Sequence, residues 1–181
     1  HPQPPKEELE RFYREVEDPL YVKNLASFRA TGRRNWQDIK RFLPPHGSLL
    51  EVGCYCGAFL DVAAGAGQQV RGIEQSRWAV DYCKRETAHD VRCGTISDLM
   101  GSDLNSAAVD GDGLYDSVVA WNVMEHASDP LADLRLINGV LKPGGKFVFS
   151  TLNIDNWFPR IAKGRWPWLL GMHLFYYTPA T

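Results

Sequence analysis

The stretch Leu49-Leu50-Glu51-Val52-Gly53-Cys54-Tyr55-Cys56-Gly57-Ala58-Phe59-Leu60 decides the fold. Ser48–Val52 reads as a short, mostly apolar strand, and Phe59–Ala66 carries a helical pattern that ends in the Gly65/Gly67 region. Between them Gly53 and Gly57 mark a tight strand-to-helix turn, where a missing side chain lets a ligand come close to backbone. Two glycines four apart also suit a purely structural turn.

Outward from this unit the alternation repeats. Val70–Ile73 is a second strand, and Arg77–Arg85 a helix capped by Ser76. Val91–Gly94 is a short third strand, and the polar, Gly/Asp/Ser-rich Gly101–Gly113 a loop. Ser117–Trp121 is a strongly apolar fourth strand. Asp129-Pro130 places a cap before a proline at the first helical position, and Leu131, Leu134, Ile137, Val140 and Leu141 give that helix its face. Lys142-Pro143-Gly144-Gly145 breaks it, and Lys146–Ser150 is strand five. Apolar strands alternating with helices predict an α/β fold, a doubly wound, mainly parallel sheet covered on both faces.

Upstream, residues 1–8 are Pro-rich and extended. Leu9, Phe12, Tyr13 and Val16 predict a helix from Glu7 to Val16. Leu25, Phe28, Trp36, Ile39, Phe42 and Leu43 predict one or two more, broken near Thr31-Gly32 and stopped by Pro44-Pro45. The chain divides into an N-terminal helical cap, residues 1–45, and a core, residues 46–181. The Trp/Pro-rich tail 157–181 shows no clear period and reads as a mobile or substrate-side segment.

A length of 181 residues suits one such domain. Net charge is −2, and Arg33-Arg34 and Arg71/Arg77 are too small as basic clusters for nucleic-acid backbone. No apolar run reaches the roughly 18 residues of a membrane span, and no signal peptide is recognised, so a cytoplasmic location is expected. Cys54, Cys56, Cys83 and Cys93 offer one C-x-C without a second Cys/His pair at metal spacing. Reduced core thiols and no metal are expected.

Glu74 stands at the end of strand two, 23 residues after Glu51. A carboxylate there accepts two hydrogen bonds from a ribose diol. The same spacing occurs in dinucleotide dehydrogenases, and an exposed strand-end carboxylate is the structural alternative.

Four ordered motifs carry a resemblance over residues 48–151. They are Leu49-Leu-Glu-Val-Gly-Cys with Gly57-Ala-Phe-Leu; Val70-Arg-Gly-Ile-Glu-Gln-Ser; Tyr115-Asp-Ser-Val-Val-Ala-Trp-Asn-Val-Met-Glu-His-Ala-Ser-Asp-Pro; and Leu141-Lys-Pro-Gly-Gly-Lys-Phe-Val-Phe-Ser-Thr. Together they resemble class I S-adenosylmethionine-dependent methyltransferases, most closely a bacterial branch that accompanies sugar or polysaccharide biosynthesis. Gly164-Arg-Trp-Pro and His173-Leu-Phe-Tyr-Tyr-Thr resemble the family's stretch after strand five. The resemblance implies a Rossmann-like core that binds S-adenosyl-L-methionine and releases S-adenosyl-L-homocysteine.

By that resemblance Glu51, Gly53, Cys54, Tyr55 and Gly57 lie along the methionine part of the cofactor, and Glu74 holds the ribose hydroxyls. Gln75 flanks the adenine, and Ile96 with Ser97 and Asp98 belongs to the loop edging that ring. Asn122 contacts the amino-acid end or the transfer region, and Glu125-His126 matches a Glu-His pair of relatives. Two positions depart from the pattern. Tyr55 replaces a usual glycine, its ring either turned away from the ligand or partly filling the methionine pocket. Thr95 replaces a usual acid, so the adenine amino contact falls to Ser97 or Asp98, or is absent.

His126 is the candidate general base, with an ordinary pKa near 6.5; the alternative is a histidine pinning the helix start beside Asp129. Trp157, Arg165, Trp166, Trp168, His173, Tyr176 and Tyr177 either bind a small-molecule or saccharide acceptor or simply cover the sheet or a partner chain. Family members continue past a segment like Tyr177-Thr with a helix and a strand pair beside strand five. That pair does not occur before Thr181, and the expected readings are a chain cut short, which is favoured, a homodimer through the exposed strand-five edge or the aromatic tail, or a tail folded over that edge. The expected activity is methyl transfer to oxygen or nitrogen of a small molecule or glycan intermediate. The alternative is a cofactor-binding or regulatory domain with impaired catalysis. A nicotinamide oxidoreductase calls for G-x-G-x-x-G, which the sequence lacks.

Overall fold

The computed structural model describes residues 5–101 and 114–181. In chain order the elements are α1 (Lys6–Glu15), α2 (Pro19–Lys23), α3 (Leu25–Ile39), β1 (Ser48–Val52), α4 (Ala58–Gly65), β2 (Gln69–Glu74), α5 (Arg77–Glu86), β3 (Asp90–Cys93), α6 (Ile96–Gly101), β4 (Tyr115–Trp121), α7 (Pro130–Val140), β5 (Leu141–Ser150) and α8 (Trp157–Ala162). The five strands are all parallel, in the order β3-β2-β1-β4-β5. The chain winds outward from β1 to β3, then crosses to β4 and β5. The order therefore reverses between β1 and β4, and the crevice at their carboxyl ends is where such a sheet takes a ligand.

The two leucines of the opening motif show how the sheet is covered. Successive strand side chains face opposite ways. Leu49 packs with Ile39, Leu43, Phe59 and Ala63, on the side of α3 and α4. Leu50 packs with Ile96, Leu99, Ile137 and Val140, on the side of α6 and α7. Both are fully buried, and each contributes roughly 1.5–3 kcal/mol by leaving water. At the amino ends of the strands, the Asp116 carboxylate accepts the Ser48 amide at 2.8 Å, its hydroxyl at 2.9 Å and the Lys142 ammonium at 3.1 Å. That cluster ties β1, β4 and β5 together, far from the carboxyl-end crevice.

Three expectations are corrected. The helix expected to break near Thr31-Gly32 runs through as α3. Gly32 is buried against α4, and a Cβ there would lie 3.4 Å from Val62 Cγ2 and 3.5 Å from Phe59 Cα. The glycine is there for the approach of two helices, not to end one. β5 starts at Leu141, before Pro143-Gly144-Gly145 rather than after it: Tyr115 pairs Leu141 and Ser117 pairs Lys146, so a bulge takes up the extra residues. The tail carries a helix, α8, capped by Asn156. The expected Gly101–Gly113 loop falls outside the described residues, apart from Gly101, which closes α6.

Candidate cofactor cleft

The cleft lies over the carboxyl ends of β1 and β2, walled by the start of α6, the loop after β4, and α1. Its floor includes Val52, Gly53 and Ile73. Gly53 has φ +71°, and its amide donates to Ile73 O at 2.8 Å. A Cβ on Gly53 would sit 2.6 Å from Val123 Cγ2. Conformation and space both demand glycine. Gly57, φ +76°, turns the chain into α4 and lies outside the cleft.

Glu74 enters the cleft from the end of β2. Its Oε1 accepts the Ser76 amide at 2.8 Å and its Oε2 the Tyr55 amide at 2.9 Å. A carboxylate has about four lone-pair sites, so two amides hold it in place and leave acceptor capacity. Burial raises its pKa, while the Ser76, Tyr55 and Gln75 amides oppose the rise. Gln75 lines the same wall. The segment expected as a loop after β3 instead opens α6: Asp98 Oδ2 accepts the Thr95 amide at 2.7 Å and the Thr95 hydroxyl at 2.9 Å, the back-reaching half of a capping box. Asp98 is thus engaged in the turn, while Thr95, Ile96 and Ser97 line the cleft.

Tyr55 has φ +45°, a left-handed conformation that costs a non-glycine residue about 1–3 kcal/mol. Its ring turns away from the cleft. It meets Tyr21 edge-on at 4.6 Å and Trp78 at 6.0 Å, in a cluster with Leu25, Cys56, Ala58 and Ala79. Of the two placements the sequence left open, the structure shows the first. Cys54 is buried beside Leu60, Val80 and Cys83 and does not reach the cleft.

Glu51 is 4% exposed and lies beneath the floor rather than in it. Its Oε2 has no hydrogen-bond partner, and it joins no ion pair among the described residues. Burial, then repulsion from Glu74, holds its pKa well above the carboxylate range, against one amide bond from Leu60. Two carboxyl groups thus approach the carboxyl end of β1 with no cation between them among the described residues.

The far wall comes from the loop after β4 and from the tail. Glu125 is 1% exposed, and its Oε2 accepts the Thr151 hydroxyl at 2.9 Å. Its backbone oxygen accepts the amides of Leu174 at 2.7 Å and Phe175 at 3.2 Å, and Tyr177 donates its hydroxyl to Met124 O at 3.0 Å. These bonds bring the tail to the cleft. His126 lines it, with Nδ1 3.0 Å from Met172 O and 2.7 Å from the Tyr13 hydroxyl. A carbonyl only accepts, so Nδ1 carries the hydrogen and Nε2 is the lone-pair nitrogen. Burial lowers the pKa of His126 and the neighbouring His173 adds to this, outweighing Met172 and Glu125, so the ring is neutral at neutral pH. Burial and Glu125 push Tyr13 up to about 12, leaving a neutral phenol over the cleft. His126 does not pin α7, which Asp129 caps by accepting the Ala132 amide at 3.0 Å.

The structure therefore gathers Gly53, Glu74, Gln75, Ile96, Ser97 and His126 around one cleft. Glu51, Cys54, Tyr55 and Gly57 lie behind or below it. Asn122, at φ +54°, bonds Ser150 and is exposed outside it. Sequence reasoning missed Leu9, Tyr13 and Val123 as cleft residues. An amphipathic face announces that α1 packs on something, not on what. The Thr95-x-x-Asp98 spacing is itself a helix-start signal.

A model of a methyltransferase-domain family matches residues 26–181. The ubiquinone biosynthesis O-methyltransferase of Bordetella bronchiseptica is 30% identical over 148 residues, covering 71% of this chain and 60% of that protein. Its counterpart in Xanthomonas axonopodis pv. citri is 33% identical over 113 residues, covering 62% and 46%. The chain thus spans about half the length of the curated relatives it matches. Among solved structures, a SAM-dependent methyltransferase from Archaeoglobus fulgidus superposes with a TM-score of 0.66 at 17% identity, over 90% of this chain and 70% of that one.

Proposed function

Since this chain belongs to the methyltransferase-domain family, with the parallel sheet of class I, S-adenosylmethionine-dependent members, we propose that it takes part in methyl transfer to a hydroxyl oxygen of a small molecule. The observation that carries this is one cleft holding a side-chain-free floor at Gly53, the Glu74 carboxylate and the neutral His126. The residues fit the cofactor. Gly53 leaves backbone bare at the carboxyl end of β1, and Glu74 keeps acceptor capacity for a diol. Glu51 and Glu74 place two carboxyl groups at the carboxyl end of β1 with no ion pair among the described residues, and a ligand bearing an ammonium and a sulfonium favours their ionised forms. Bound there, S-adenosylmethionine supplies an electrophilic methyl group.

We assign the rest of the chemistry to the chain. Glu74, held by two amides, orients the ribose end. Gln75, Ile96 and Ser97 edge the base. Tyr13 and Leu9 of α1 cover the cleft and exclude water. His126 meets the acceptor hydroxyl with its Nε2 lone pair and takes up its proton, a role needing no charge beforehand. Preference for oxygen rests on the O-methyltransferase activity for which the two relatives at 30% and 33% identity are named. Positioning of the reacting atoms supplies most of the rate, as in other group transfers.

Calorimetry with S-adenosylhomocysteine tests the cofactor assignment: one site per chain is expected, and no heat at millimolar ligand overturns it. Transfer of labelled methyl to a panel of phenols, catechols and amines then tests the acceptor. Product on nitrogen alone would refute the oxygen assignment.

A further inference from the structure

His126 and His173 cross edge to face with ring centroids 4.8 Å apart. One ligand atom from each, and one carboxylate oxygen of Glu125, all lie within 4.8 Å of one another. Both rings are held in the same manner: His126 Nδ1 faces Met172 O at 3.0 Å and His173 Nδ1 faces Trp168 O at 2.8 Å. Each therefore carries its hydrogen on Nδ1 and leaves Nε2 as a lone pair. A carbonyl on the far nitrogen is the partner that metal-bound histidines ordinarily have, because it fixes tautomer and ring orientation. Glu125 adds an independent sign. Its carboxylate is almost wholly buried, is oriented by the Thr151 hydroxyl, and joins no ion pair among the described residues. A buried carboxylate left without a cation is costly.

We propose that Glu125, His126 and His173 form a binding site for a divalent cation of the zinc class. Two imidazoles and one carboxylate suit zinc or a neighbouring transition metal and leave a coordination position open. Metal–nitrogen bonds of about 2.0 Å place tetrahedral ligands about 3.3 Å apart. The three groups must then close by up to about 1.5 Å, within reach of side-chain rotation at the half-buried His173. The sequence hides the set, since His173 comes from the tail, 47 residues after His126.

The site deepens the proposed function and rests on it for its role. With the cation bound, an acceptor hydroxyl on the open position is acidified and gives its proton to solvent; without the cation, His126 Nε2 takes that proton directly. The cation-binding claim itself stands on the side chains alone.

The test titrates Zn²⁺ alone into the Cys93→Ser chain, which lacks the exposed thiol, and follows it by calorimetry and thermal midpoint. One ion per chain and a raised midpoint are expected. His173→Gln and His126→Gln should each weaken binding roughly 100-fold or more, since lost outer partners alone cost 10–100-fold. The midpoint rise should vanish, with S-adenosylhomocysteine affinity in His173→Gln unchanged. No zinc uptake, or equal uptake in both variants, overturns the metal site. If S-adenosylhomocysteine binding persists in that case, the proposed function stands with His126 as direct base; if that binding also fails, the cofactor assignment falls separately.

Discussion

Residues 48–76 and residues 122–177 each build one side of the cleft, by different means. The first run makes its site locally. β1, a glycine turn, α4 and β2 follow one another, and Glu74 is fixed by amides of Tyr55 and Ser76, no more than 19 residues away. The second run makes its site at long range. Glu125 and His126 are secured by Thr151, Met172, Leu174 and Phe175, 26 to 50 residues downstream, and by Tyr13 from α1. A site made of consecutive elements is set once those elements form. A site made by docking a tail is set only when the tail is home. The cofactor side should therefore resist changes at the tail, while the acceptor side should not.

The largest effect is expected at Gly53, where the local site has no slack. Gly53→Ala puts a side chain at φ +71° and against Val123 Cγ2. Left-handed strain costs about 1–3 kcal/mol, and overpacking a similar amount. Urea unfolding should show a loss of about 4 kcal/mol, with S-adenosylhomocysteine binding abolished. Adding Val123→Ala should restore only the packing share. Full recovery would show that conformation at Gly53 is unimportant.

Next is Glu74→Ala, which removes a charged acceptor from the cleft and frees two amides. Hydrogen bonds to charged groups are worth about 1.5–3 kcal/mol, so cofactor-product affinity should fall ten- to hundredfold. An unchanged affinity would remove Glu74 from the site.

The same contrast explains what the sequence disclosed. β1 to α5 and the Ser76 and Asp129 caps follow from adjacent residues: period, glycine and cap are local signals. Gly32 misled because its reason lies in α4, a tertiary contact that propensity does not contain. Leu141 entered β5 because pairing with Tyr115 outweighs the turn chemistry of Pro143-Gly144-Gly145. Glu74 was legible as a strand-end acid, whereas Gln75 and Ser97 came only through the family resemblance. His173 was legible only as part of an aromatic tail, since nothing in 157–181 encodes that its backbone returns to Glu125. Glu51 was legible as a motif residue, but its burial beneath the floor was not.

That burial makes a third prediction. A folded-state pKa raised above the unfolded value means stability is fully present below the ordinary carboxylate range and is lost as pH rises through the raised pKa. Glu51→Gln removes this slope. The variant should be more stable than the parent at pH 8, by about 1–3 kcal/mol, the usual cost of a buried unpartnered polar atom. Near pH 4 the two should converge. Because Gln cannot ionise when the ligand arrives, the sulfonium-bearing cofactor should lose more affinity than its uncharged-sulfur product. Equal losses would show that Glu51 does not act through charge.

The smallest effect probes the tail. Tyr177→Phe deletes the hydroxyl that donates to Met124 O at 3.0 Å, across 53 residues of chain. One neutral hydrogen bond of a half-buried group contributes about 1 kcal/mol, so global stability should fall by no more than that. Its consequence should be uneven. Amide exchange should quicken at Leu174 and Phe175, whose hydrogen bonds to Glu125 depend on the same docked segment, and stay unchanged at Gly53 and Ser76. Cofactor-product affinity should hold while zinc affinity drops, because His173 rides on the tail and Glu74 does not. Equal losses on both sides would mean that the two halves of the cleft form one cooperative unit.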